Sequence, residues 1–243
     1  ADIITIGTAG HGNNDTIDGG GGADVLQLSS GAHTFGTDNK LLAVETIKTD
    51  SSGSTVVLTG QTENLTITGG AGADIITGGN AIDTISGGGA ADNISGGTGN
   101  DIITGGAGND IIAGGAGADT INVDEGTDTI SDLATGDKLI ISENATANAT
   151  VAVEFAADSQ TINHANNAVS KAVLSADSDG AIINMALASG VFTLTGGAGG
   201  DTLTGGSGND IITGGAGADI IAIGTAGHGN NDTVDGGGGA DVL

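Results

Sequence analysis

Residues 69–122 read GGAGADIIT, GGNAIDTIS, GGGAADNIS, GGTGNDIIT, GGAGNDIIA, GGAGADTIN, six nonapeptides without a break. The frame continues through VDEGTDTIS at 123–131 and DLATGDKLI at 132–140, and returns as GGAGGDTLT, GGSGNDIIT and GGAGADIIA from residue 196. The sixth position is aspartate throughout the first run, at Asp74, Asp83, Asp92, Asp101, Asp110, Asp119, Asp128 and Asp137. The eighth is isoleucine at Ile76, Ile85, Ile94, Ile103, Ile112, Ile121 and Ile130, between seventh and ninth positions that are mixed and often polar. An apolar residue fixed between such neighbours reads as a short strand with one buried face. The glycines ahead of it admit positive φ and close approach of neighbouring chain. Each nonapeptide is therefore one turn plus one strand. Its eighth side chain points inward, and seventh-position Ile75, Ile102, Ile111, Ile211 and Ile220 point outward.

A three-residue strand does not persist alone, but parallel strands stacked about 4.8 Å apart complete one another's hydrogen-bond ladders. With two nonapeptides per coil, loops on one edge recur every 18 residues. Asp74, Asp92, Asp110 and Asp128 then share one edge, and Asp83, Asp101, Asp119 and Asp137 the other. Stacked carboxylates repel unless a cation lies between them. Carboxylates with the backbone carbonyls of a glycine turn are hard oxygen donors and suit Ca²⁺. Mg²⁺ prefers an octahedron that retains water. Softer metals find no cysteine and only four scattered histidines.

The pattern GGxGxDxUx, in register through eight successive units, resembles the RTX, or haemolysin-type calcium-binding, nonapeptide repeat. The resemblance implies an all-β fold, a parallel β-solenoid (β-roll) with two nonapeptides per coil and several calcium ions between loops. It implies a ligand role for the sixth-position aspartates already named and for Asp201, Asp210, Asp219, Asp232, Asp241, Asp2, Asp15 and Asp24. By the same resemblance, the loop backbone at Gly96, Thr98, Gly105, Ala107, Gly114 and Ala116 supplies carbonyl ligands. The sequence departs from the pattern in places. Ala81 and Ala90 replace loop glycines, which implies weaker loops before Asp83 and Asp92. Asp15 and Asp232 follow a four-residue insertion, where Asn13 and Asn230 replace a loop glycine, and VDEGTD has lost its first glycines and closes the ion row.

A longer repeat encloses the short one. ADIITIGTAGHGNNDTIDGGGGADVL at 1–26 returns at 218–243, an offset of 217 residues, with differences only at Thr5/Ala222 and Ile17/Val234. The chain thus reads as a segment of a tandem array. Its organisation is the end of one repeat block at 1–26, a β-rich solenoid-like segment without calcium loops at 27–68, the main β-roll at 69–142, a β-rich insert or spacer at 143–195 and a second block at 196–243. Within the insert, 161–175 reads either as a short helix or as another coil.

Composition narrows the function. Thirty acids oppose four lysines, for a net charge of −26, which repels nucleic acid and anionic lipid. No apolar run is long enough to insert in a membrane as a helix. The absence of cysteine excludes a disulfide scaffold and thiolate metal sites. No HExxH, GxSxG or GK[ST] motif occurs, and His11 and His228 are copies of one loop residue, so the reading is of a non-enzyme. Low lysine and an aromatic content confined to Phe35, Phe155 and Phe192 resemble secreted RTX and S-layer proteins. That resemblance implies type I export in an unfolded state and calcium-driven folding outside the cell. The expected role is structural, in a surface filament, sheath or S-layer. The expected partners are further copies of the chain, and cell-surface polysaccharide. The alternatives are the stalk of a giant adhesin and the calcium-binding tail of an exported enzyme.

Overall fold

A computed structural model describes residues 1–7, 16–37, 41–143, 145–151, 154–157, 161–163, 172–176, 180–224 and 231–243. Every regular element among them is a strand, and none is a helix. The all-β parallel solenoid expected from the repeat is what the chain forms. It divides into two compact units, Ala1–Thr120 and Ile121–Leu243.

In the first unit, the strands Ile3–Ile6, Val25–Leu28, Thr46–Lys48, Thr66–Thr68, Thr84–Gly89 and Ile102–Ala107 pair in parallel in that order. A second set, Gly31–Thr34, Ser54–Val57, Ile75–Thr77, Asn93–Thr98 and Ile111–Ala116, does the same. From Val25–Leu28 onward the strands of the two sets alternate along the chain, so the turns carry it from one sheet to the other. Register is set by the buried eighth position. Leu26, Ile47, Ile67, Ile85 and Ile103 align across the first sheet. His33, Val56, Ile76, Ile94 and Ile112 align across the second. All but His33 are apolar, and each is almost wholly buried. A slip of one residue would turn a whole row outward, which is why so short a strand holds one register.

The second unit repeats this logic. Gly126–Leu133, Ala145–Val151, Ala172–Ala176, Thr193–Thr195, Ile211–Thr213 and Thr233–Asp235 form one parallel sheet. Glu154–Ala156, Ile182–Asn184, Thr202–Thr204 and Ile220–Ala222 form another. Phe155, Ile183, Leu203 and Ile221 align inside, as do Ala149, Leu174, Leu194 and Ile212. The stretch read as a short helix or a coil contains the strands Ile162–Asn163 and Ala172–Ala176, and residues 164–171 lie outside the described residues.

The outward rows are nearly free of charge. Thr55, Ile75, Asn93 and Ile111 form one row, and Val57, Thr77, Ser95 and Ala113 its neighbour. On the other sheet of this unit the rows are Thr46, Thr66, Thr84, Ile102 and Lys48, Thr68, Ser86, Thr104, with a lysine as the one charge. Seventh-position Ile75, Ile102, Ile111, Ile211 and Ile220 are each about half exposed, at 45–53%. In these coils the acids are confined to the turns.

Candidate metal centre

The turns place the sixth-position aspartates in columns, and the backbone then uses each carboxylate. Asp74 N–H donates to Asp92 Oδ1 at 2.7 Å, Asp83 to Asp101 at 2.8 Å, Asp92 to Asp110 at 2.8 Å and Asp101 to Asp119 at 2.8 Å. In the second unit Asp201 donates to Asp219 at 2.8 Å, Asp210 to Asp232 at 2.8 Å and Asp219 to Asp241 at 3.1 Å. Asp2 N–H donates to Asp24 in the same sense. Each aspartate carbonyl in turn accepts from the seventh-position N–H of the next coil, as Asp83 does from Ile102 at 2.9 Å. The columns are thus a one-way ladder in which each carboxylate ties its coil to the one before.

The ladder accounts for Oδ1. The fate of Oδ2 divides the loops into two kinds. In 69–74 and 78–83 the second glycine N–H donates to the loop's own aspartate, Gly70 to Asp74 at 2.9 Å and Gly79 to Asp83 at 2.8 Å. Gly197 to Asp201 at 2.8 Å and Gly206 to Asp210 at 2.9 Å repeat this in the second unit. In 87–92, 96–101 and 214–219 the second glycine is left-handed instead, with φ of 110° at Gly88, 110° at Gly97 and 105° at Gly215. There Oδ2 of Asp92, Asp101 and Asp219 is buried with no hydrogen-bond partner. Buried polar atoms nearly always have a partner, so such an oxygen marks a place where something else binds.

The surroundings of that oxygen are hard donors. A Cβ added at Gly96 would collide with both Asp101 Oδ2 and the Gly114 carbonyl oxygen. At Gly87 it would collide with Asp92 Oδ2 and come within 2.6 Å of the Gly105 carbonyl. The first glycine of the repeat therefore leaves open a niche lined by one carboxylate oxygen and the first-glycine carbonyl of the following coil. Gly214, beside Asp219 Oδ2 and the Gly236 carbonyl, builds the same niche in the second unit. These donors fit Ca²⁺, which takes carboxylate and carbonyl oxygens in flexible geometry. No group of three or more His, Cys, Asp or Glu side chains converges among the described residues, so the donor set leans on backbone carbonyls.

Burial acts on the carboxyls of both kinds of loop. Burial pushes the carboxyls of Asp83, Asp101, Asp110 and Asp210 above their usual range. Asp92 is pushed up to about 6, chiefly by burial, with the negative charges of Asp110 and Asp74 adding and the Asp74 N–H opposing. A cation between coils would reverse both effects.

The other sequence-predicted ligands fall in various places. Asp24 is buried beside Asp2, whose N–H donates to it, with Oδ2 unpartnered. Asp2 is exposed, and Asp232 and Asp241 are half-exposed. Asp128 faces inward from the middle of Gly126–Leu133. Asp137 closes a tight turn of its own, where Oδ2 accepts from Ala134 N–H at 2.8 Å. Gly105 and Gly114 present their carbonyls to the niches beside Asp92 and Asp101. The Ala116 carbonyl accepts from Gly99 N–H at 2.9 Å, whereas Thr98 and Ala107 lie exposed at strand ends. Asp15, Asn13, Asn230, His11, His164 and His228 lie outside the described residues.

Sequence reading missed one member of a column. Glu45 Oε2 accepts from Asp24 N–H at 2.7 Å, the bond an aspartate makes elsewhere. The signal was Glu45-Thr46-Ile47-Lys48, which copies D-x-I-x without its glycines.

The sequence profile of the RTX calcium-binding nonapeptide repeat (4 copies) matches residues 9–32, 68–103, 95–130, 193–222 and 226–243, more than half of the chain. No curated protein matches it. Stacked glycine turns, buried aspartate columns and oxygen-lined niches are thus those of a structural calcium-binding repeat, and the chain belongs to the RTX calcium-binding nonapeptide repeat family.

Proposed function

We propose that this chain is a calcium-stabilised structural segment of a secreted repeat protein that builds a surface filament, sheath or S-layer. One observation carries the reading: the aspartate columns hold buried carboxylate oxygens without partners, beside carbonyls that complete a hard-donor niche. Without a cation these carboxylates desolvate and repel one another. With calcium they join coil to coil. A protein built this way stays unfolded where calcium is scarce and folds where it is plentiful, which suits export in an unfolded state and folding outside the cell.

Charge placement favours an assembling role over an isolated stalk. A chain of net charge −26 repels its copies in general. The outward rows that run from Thr46–Lys48 to Ile102–Thr104 and from Thr55–Val57 to Ile111–Ala113 carry threonine, serine, asparagine, alanine, valine and isoleucine, with Lys48 the one charge among them. Calcium on the turns lowers the repulsion and leaves nearly uncharged strand faces to meet.

Electron microscopy of the purified chain, taken from chelator to millimolar calcium, tests this. Filaments or sheets that form with calcium and disperse on chelation are expected. Separate short rods at the same calcium concentration would favour the adhesin stalk. A far-UV spectrum indifferent to calcium would remove the basis of both.

A further inference from the structure

The two kinds of glycine loop differ in what lies beneath them. Loop 87–92 rests on 69–74, and 96–101 rests on 78–83. The third-position N–H of each upper loop donates to the second-glycine carbonyl below, Gly89 to Gly70 at 3.0 Å and Thr98 to Gly79 at 3.0 Å. Ala216 to Gly197 at 3.0 Å does the same in the second unit. This bond extends the strand through the glycine pair and accompanies the left-handed second glycine. Loops 69–74, 78–83 and 205–210 have no glycine pair beneath them. They rest instead on the turns at Asp50–Gly53, on Gln61 and on Ala188. Their second glycine keeps ordinary φ and turns its N–H onto its own aspartate, as that of 196–201 does.

We infer that the first glycine loop on each edge of a run is an ion-free cap, closed by its own backbone, and that calcium begins at the following coil. The inference rests on the calcium reading above. Asp74, Asp83, Asp201 and Asp210 spend both oxygens on backbone N–H groups: Ser54, Leu65, Ala181 and Phe192 below, and their own second glycines. Turning Oδ2 toward an ion would strand a glycine N–H, buried at Gly79 and Gly206. Asp92, Asp101 and Asp219 give nothing up, because their second oxygen has no partner.

Two double variants of the full chain, Asp74→Asn/Asp83→Asn and Asp92→Asn/Asp101→Asn, separate the roles. Bound calcium is counted by equilibrium dialysis and atomic emission at saturating calcium. The first pair is expected to keep the wild-type ion count, and the second to lose ions in step with the niches removed. Equal loss in both pairs, with a wild type that binds calcium, would overturn the inference alone. A wild type that binds no calcium would overturn the calcium reading and the inference with it. Should the first pair fail to fold, amide exchange in the calcium-loaded wild type decides the question. Slow exchange at Gly70, Gly79, Gly197 and Gly206 is expected, and fast exchange would refute the cap.

Discussion

Residues 27–68 and 69–119 solve one problem in two ways. Both stack parallel strands over a continuous apolar column, with Ile47 and Ile67 in line with Ile85 and Ile103. They differ at the turns. In the first region, side chains satisfy the backbone. Gln61 Nε2 donates to the Phe35 and Thr37 carbonyls at 2.7 and 2.8 Å, and Asp50 accepts from Ser30 and Ser52 at 2.8 and 2.9 Å. In the second, the turns are glycine, the carboxylates are buried, and Oδ2 of Asp92 and Asp101 has no protein partner. Strand and core are therefore built alike in the two regions, and what separates them is the chemistry of the turns.

The largest expected effect follows directly. In chelator, hydrogen exchange should be fast across 87–119 and markedly slower across 41–68, and millimolar calcium should protect the first segment far more than the second. Equal protection gains would break the comparison. Next in size is the shared core. Ile94→Ala, at a wholly buried position, should cost about 2–5 kcal/mol even with calcium bound. Ile75→Ser, at an outward position, should cost within about 0.5 kcal/mol by denaturant titration. A smaller loss is expected at the turn. Gly97→Ala, at φ 110° and in collision with the Gly79 carbonyl, should cost about 2 kcal/mol. Gly89→Ala should be near neutral, because its added carbon finds nothing closer than 3.5 Å. Comparable losses at both glycines would show that loop flexibility, not the left-handed turn, is what matters.

The mildest effect is on pH. Asp92 has a pKa raised to about 6 by burial, and Asp83, Asp101 and Asp110 are raised in the same direction. A raised carboxyl favours the folded state fully below its unfolded pKa and loses that contribution as pH rises through the folded value. Without calcium, β-structure by far-UV dichroism should therefore strengthen as pH falls from about 7 to about 4. With calcium, acid should instead weaken binding, since protons and the ion compete for the same oxygens. An apo chain that loses structure over this acid range would contradict the burial of the columns.

The repeat made much of this legible. Fixed Asp and Ile at the sixth and eighth positions gave the coil, its register and the columns, because both follow from strict local alternation. Outward Ile75, Ile102 and Ile111 followed from the same parity. The difference between Asp74 and Asp92 was not legible. Both end a GGxxAD-type hexapeptide, and what separates them is the turn one coil earlier, which a reading of one motif at a time does not register. Glu45 escaped for a related reason: its place in a column is set by its neighbour Asp24, not by glycines of its own.

The one-way ladder has a consequence for how the chain folds. Each carboxylate-to-backbone tie spans 18 to 22 residues, as in Asp83 with Asp101 and Asp210 with Asp232. Closing any one tie therefore costs nearly the same chain entropy as closing any other. A parallel sheet is ordinarily a slow fold because its partners are distant in sequence. Here every partner is one coil away, so assembly proceeds as a zipper whose step length never grows with the length of the array.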